Sequence, residues 1–122
     1  MATPSLVSVV DDDESVRESL PDMLREFGLA ARAFASAEAF LASDAVGQTR
    51  CLILDVAMPG MLGPDLHREL ATRRPNIPIV VITASGDQTI RTRVLDDGAV
   101  ECLFKPFSEA ALLDALDAAL GT

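Results

Sequence analysis

Short β-branched apolar runs alternate with stretches of helical spacing along this chain. Leu6–Val10 is the first run, suited to a strand buried on both faces. Val16, Leu20, Met23, Leu24 and Phe27 then recur at helical spacing, and Gly28 supplies a stop. Pro21 lies inside that pattern; it lacks an N–H and is expected to kink or weaken the helix. Residues 30–34 read as a weak strand and residues 36–41 as a short helix. Residues 51–54 form a second strong strand running into Asp55, followed by a loop with Pro59, Gly60 and Gly63. Pro64 fits the first turn of a helix carrying Leu66 and Leu70. Residues 79–82 are a third strong strand, ending at Thr83. Ile90, Val94 and Leu95 mark a helix stopped by Gly98. Residues 100–104 give the last strand, ending at Lys105-Pro106. A final helix carries Phe107, Ala111, Leu112, Ala115, Leu116, Ala119 and Leu120.

Five strand–helix units of this kind predict an α/β fold: a doubly wound, five-stranded parallel sheet flanked by five helices. The common five-strand solution is the flavodoxin-like order 2-1-3-4-5. Five units are too few for a closed eightfold barrel. No linker, repeat or low-complexity tract interrupts the pattern, so residues 1–122 are expected to form one domain.

Composition narrows the function classes. The 122 residues include 19 Asp or Glu against 10 Lys or Arg, a formal net charge of −9, and 49% are hydrophobic. That apolar share excludes a disordered acidic tail. The acidic balance argues against nucleic-acid binding by the domain itself. No apolar run reaches the ~20 residues of a membrane span, and the acidic polar positions of the last helix (Glu109, Asp114, Asp117) disfavour an anionic lipid surface. Two cysteines, Cys51 and Cys102, form no disulfide framework, and a reduced cytoplasmic setting is expected. Cys51 reads as a small core hydrophobe, and the single histidine, His67, as a surface or boundary residue. Lys105 is the only lysine.

Ligands of open α/β sheets bind beyond the carboxyl ends of the strands. In this chain those ends carry Asp11 and Asp12, then Asp55, then Thr83, then Lys105. Three carboxylates in one cleft repel each other, and a divalent cation relieves that repulsion. Oxygen-only ligands select a hard ion, Mg²⁺ or Mn²⁺, which keeps room for phosphate oxygens. An aspartate can act as a nucleophile and form an acyl phosphate, with a lysine and a hydroxyl holding the remaining phosphoryl oxygens. Asp13 reads instead as a helix cap.

The chain resembles the receiver domain of two-component response regulators. The resemblance is carried by Val9-Val10-Asp11-Asp12-Asp13-Glu14-Ser15-Val16-Arg17, Leu54-Asp55-Val56-Ala57-Met58-Pro59-Gly60-Met61-Leu62-Gly63, Ile82-Thr83-Ala84 and Phe104-Lys105-Pro106-Phe107. It implies Asp55 as phosphoacceptor and a metal held by Asp11, Asp12, Asp55 and the Ala57 carbonyl. Thr83, Ala84 and Lys105 are implied as phosphoryl-binding and switch residues, with a cis bond before Pro106. A sensor histidine kinase is the implied phosphoryl donor, docking near the first helix. The face of the last two helices and strand 5 is implied as the surface that switches. An output domain or downstream protein, and homodimerisation through that face, are the further partners implied.

Two positions depart from the family pattern. Cys102 stands where many relatives carry an aromatic switch residue, so Thr83 is expected to couple through residues 84–97 without ring rotation. Ala57 and Ser85 are both small, which implies an open site and fast hydrolysis. The rival reading is a small aspartyl-phosphate-type phosphatase or phosphotransferase. Such an enzyme normally has a second acid two residues after the nucleophile, where this chain has Ala57. A flavodoxin-like cofactor binder is a weaker rival, because the acids after the first strand would repel phosphate.

Overall fold

The computed structural model of the protein describes residues 4–55, 68–69, 72, 77–84, 88–96 and 98–121. The strands are β1 (Leu6–Val10), β2 (Ala30–Phe34), β3 (Thr49–Asp55), β4 (Ile79–Thr83) and β5 (Glu101–Phe104). They form one sheet in the order β2-β1-β3-β4-β5, and every neighbouring pair is parallel. Among the described residues there are four α-helices: α1 (Glu14–Glu26), α2 (Ala37–Leu41), α3 (Gln88–Asp96) and α4 (Glu109–Leu120). The helix expected around Leu66 and Leu70 lies outside the described residues, although Arg68, Glu69 and Thr72 are helical.

Strand parity divides the core in two. Side chains alternate across a sheet, so Val7, Val9, Cys51, Ile53, Val80 and Ile82 face one side. There they meet Leu20 and Leu24 of α1 and Leu112 and Leu116 of α4. Val10, Leu52, Leu54, Ile79 and Val81 face the other side, against Ala37 and Phe40 of α2 and Val94 of α3. Burial on both faces is why these strands read as continuous apolar runs.

Four of the described helix ends have a clear chemical cause. The Asp13 carboxylate caps α1 by accepting the Ser15 N–H at 2.9 Å, as its sequence position suggested. Gly28, at φ +86°, ends α1: its N–H reaches the Arg25 carbonyl while Leu29 N–H reaches that of Leu24. Gly98, at φ +106°, repeats this at the end of α3 with Leu95 and Val94. Ser108 caps α4 through the Ala111 N–H at 3.0 Å.

Two strand starts need correction, and Pro21 lies within a continuous helix. α1 runs without interruption from Glu14 to Glu26, with the proline ring of Pro21 buried inside it. The apolar contact of the ring offsets part of the lost hydrogen bond. β3 starts at Thr49, two residues before the apolar run. Thr49 is buried because Ser8 of β1 meets it, Oγ to Oγ1, at 2.7 Å. Thr49 Oγ1 donates to the Ala45 carbonyl at 2.7 Å, so Ser8 is the donor of the pair. β5 starts at Glu101, one residue late, since Val100 is exposed and only its N–H joins β4, at Ile79 O.

Candidate functional site at the carboxyl ends of the strands

The parallel sheet carries four chemically distinct strand ends to one edge. Asp11 follows β1, Asp55 closes β3, Thr83 closes β4 and Lys105 follows β5. Asp11 is fully buried, Asp55 and Thr83 nearly so, and Asp12 is exposed. One carboxylate oxygen from each of Asp11, Asp12 and Asp55 lies within 4.8 Å of the others. Among the described residues this is the one such cluster of potential metal ligands.

Asp11 is held at every polar atom. Its N–H donates to the Phe34 carbonyl of β2 at 3.1 Å. Its Oδ1 accepts the Asp13 N–H at 2.9 Å, and its Oδ2 accepts Lys105 Nζ at 2.8 Å. Its carbonyl accepts Arg17 Nη1 at 3.1 Å.

Lys105 is the cation of the cleft. It lies 2.8 Å from Asp11 Oδ2 and 3.7 Å from Asp55 Oδ2, so its nearer partner is Asp11. Partial burial alone would push the Lys105 ammonium down. The hydrogen bond to Asp11 and the charges of Asp55, Asp11 and Asp13 outweigh that, and its pKa is raised. Its backbone is tied in as well: Lys105 N–H donates to the Thr83 carbonyl at 2.7 Å. The Lys105–Pro106 bond is cis.

The remaining candidates sit around this core. Ala84 is exposed directly after Thr83. Cys102 is buried in β5, opposite Val81 in register, and burial raises its thiol pKa. Beside it Arg91 of α3 pairs with Glu101 of β5 at 2.9 Å. Ala57, Ser85 and His67 lie outside the described residues. The residue that sequence reasoning left without a role is Arg17. It stands inside a quoted motif, but its contact is with a backbone carbonyl, which no residue-type pattern reveals.

The donor set suits a hard divalent ion: three carboxylates, no sulfur and no imidazole, with one oxygen from each already close together.

The comparisons with known proteins agree with this geometry. A model of the response regulator receiver domain family matches residues 7–117. Nodulation protein W of Bradyrhizobium diazoefficiens is 45% identical over 118 residues, covering 97% of this chain and 52% of the relative. The crystal structure of FixJ-N superposes with a TM-score of 0.85 at 38% identity, covering 99% of this chain and 96% of that one. The response regulator StyR gives a TM-score of 0.87 at 47% identity, covering 98% of this chain and 60% of that one. The chain spans about half the length of the curated relatives it matches.

Proposed function

The chain belongs to the response regulator receiver domain family, and from that premise we propose that it accepts a phosphoryl group on Asp55. Residues 1–122 act as one receiver domain in this reading. The observation that carries it is the convergence of Asp11, Asp12, Asp55 and Lys105 at one sheet edge, with the three carboxylates within 4.8 Å and Lys105 between Asp11 and Asp55.

An Asp55 carboxylate oxygen attacks the phosphorus of a phosphohistidine on a sensor kinase. The O–P bond forms, the N–P bond breaks, and the imidazole nitrogen leaves with the electron pair. Asp11, Asp12 and Asp55, with the Ala57 carbonyl, would hold Mg²⁺ or Mn²⁺. When bound, the ion offsets the repulsion between these carboxylates and the incoming phosphoryl oxygens. Lys105 is already charged and close to Asp55, so it meets the added negative charge without reorganisation. The Thr83 hydroxyl, one strand away, donates to a phosphoryl oxygen. Asp11 anchors Lys105 through their hydrogen bond.

The response then passes along two backbones. Lys105 N–H and Thr83 C=O are bonded, so a shift at either strand end moves both. α3 follows Thr83 in sequence, and α4 follows Lys105. The face of α3, β5 and α4 is the surface that changes, with Cys102 contributing no ring to the movement. A partner protein, an output domain or a second copy reads that face. The kinase docks near α1. The domain assists its own phosphorylation and dephosphorylation and turns over no external product. It operates in the cytoplasm and binds neither membrane nor nucleic acid itself. No described helix is long and apolar enough to cross a membrane.

The test is incubation with acetyl phosphate and Mg²⁺, followed by intact mass. The wild type is expected to gain one phosphoryl group and Asp55→Asn none. An unmodified wild type overturns the reading.

A further inference from the structure

We propose that Arg17 is the positioning residue of the acidic turn: its guanidinium ties down the Asp11 end of Asp11-Asp12-Asp13 and so sets how Asp12 faces Asp55. It supplies no atom to the site. The inference rests on the metal reading of Asp12 given above.

Three of the four polar atoms of Asp11 are held by β2, by the turn itself and by Lys105. The fourth, the carbonyl, is held by the Arg17 guanidinium at 3.1 Å. The Arg17 N–H meanwhile donates to the Asp13 carbonyl at 3.1 Å, as one of the first helical bonds of α1. The side chain therefore grips the carbonyl before Asp12, while the bond to the carbonyl after it is a main-chain one that any residue but proline would make. Asp12 is itself exposed, and its direction is left to the backbone that Arg17 holds. Arg17 is half-buried, so water competes weakly for the bond. An arginine suits the task because its guanidinium is permanently charged and keeps a donor aimed at the end of a long stem.

A clamp and a mere charge make opposite forecasts. Removing a positive charge near three carboxylates strengthens cation binding. Removing the clamp loosens Asp12 and weakens it. The experiment is a Mn²⁺ titration followed by electron paramagnetic resonance on wild type, Arg17→Ala and Arg17→Lys. Amide exchange of Asp13 is measured alongside on the metal-free proteins. Arg17→Ala is expected to bind Mn²⁺ about three- to tenfold more weakly, the worth of one ordinary hydrogen bond, since Arg17 is only half-buried. Arg17→Lys falls between. Asp13 exchange speeds up in both variants while β4 amides stay protected.

Unchanged or tighter Mn²⁺ binding in Arg17→Ala overturns the proposal. If the wild type itself binds no Mn²⁺, the metal reading has failed. The Asp13 exchange then still decides the clamp, since faster exchange supports it and unchanged exchange rejects it. Should Arg17→Ala not fold, Arg17→Lys answers the same two questions with the charge retained.

Discussion

Two clusters of polar side chains are buried in this sheet, and they differ in one respect. Ser8 and Thr49 lie between β1 and β3, fully buried, and their hydroxyls form a neutral chain ending at the Ala45 carbonyl. Donors and acceptors balance there, and the cluster is closed. At the carboxyl edge, three carboxylates face one ammonium. Every polar atom of Asp11 is satisfied, yet the cluster as a whole keeps an excess of negative charge. Burial of polar groups therefore does not mark function in this fold. A charge excess left at a strand edge is what the proposed function rests on. The first cluster completes itself, and the second leaves a charge that a bound cation would offset.

Breaking each cluster separates the two roles. Lys105→Ala has the largest expected effect. It leaves the fully buried Asp11 carboxylate without its cation and is expected to cost about 3 kcal/mol in urea unfolding. That is the lower end for a buried pair, because Lys105 is partly exposed. Phosphoryl uptake from acetyl phosphate falls with it. A variant as stable as wild type would show that Asp11 does not depend on this partner.

Thr49→Val tests the neutral cluster. It removes the acceptor for Ser8 and the donor for Ala45, for an expected loss of about 2 kcal/mol. Adding Ser8→Ala is expected to recover part of that, since removing both partners leaves fewer orphaned groups. Phosphoryl uptake stays at the wild-type level in both variants. A loss of uptake would erase the distinction between the clusters.

Cys51 supplies the smallest effect and sharpens the same point with pH. Burial pushes its thiol from the ordinary 9.0 up to about 12. Between those values the unfolded chain has lost the proton and the folded chain keeps it. Stability therefore falls as pH rises from about 9 toward 12, by roughly 1.4 kcal/mol per pH unit from this group. Below pH 9 it contributes no slope. Unfolding of wild type and Cys51→Ala at pH 8 and pH 10 isolates the term, and equal losses in the two proteins would reject it.

Most of the sheet was legible because its strands are apolar on both faces and end in abrupt charge. The β-branched runs at residues 6–10 and 79–82 needed no partner to be recognised, and the strand order followed from parallel topology. Thr49 was missed because a polar residue enters a strand safely only when another strand offers a hydroxyl, and Ser8 lies 41 positions away. The cost of Pro21 is local and shows in the sequence, while the burial that offsets part of it is tertiary and does not. In the site, residue types pointed to Asp11, Asp12, Asp55, Thr83 and Lys105. The preference of Lys105 for Asp11 over Asp55 did not show, because it depends on sub-ångström side-chain reach. Arg17 acts on a backbone carbonyl, which every residue carries.

The Asp11–Lys105 pair joins residues 94 positions apart. On the ribosome, Asp11, Asp12 and Asp55 emerge early, and their counter-ion emerges only after β5. A nascent chain thus holds the proposed acceptor, Asp55, long before it holds the cation that pairs with the cluster. In the proposed function, competence to receive a signal arrives only once β5 and Lys105 have been made, in the same event that completes the sheet.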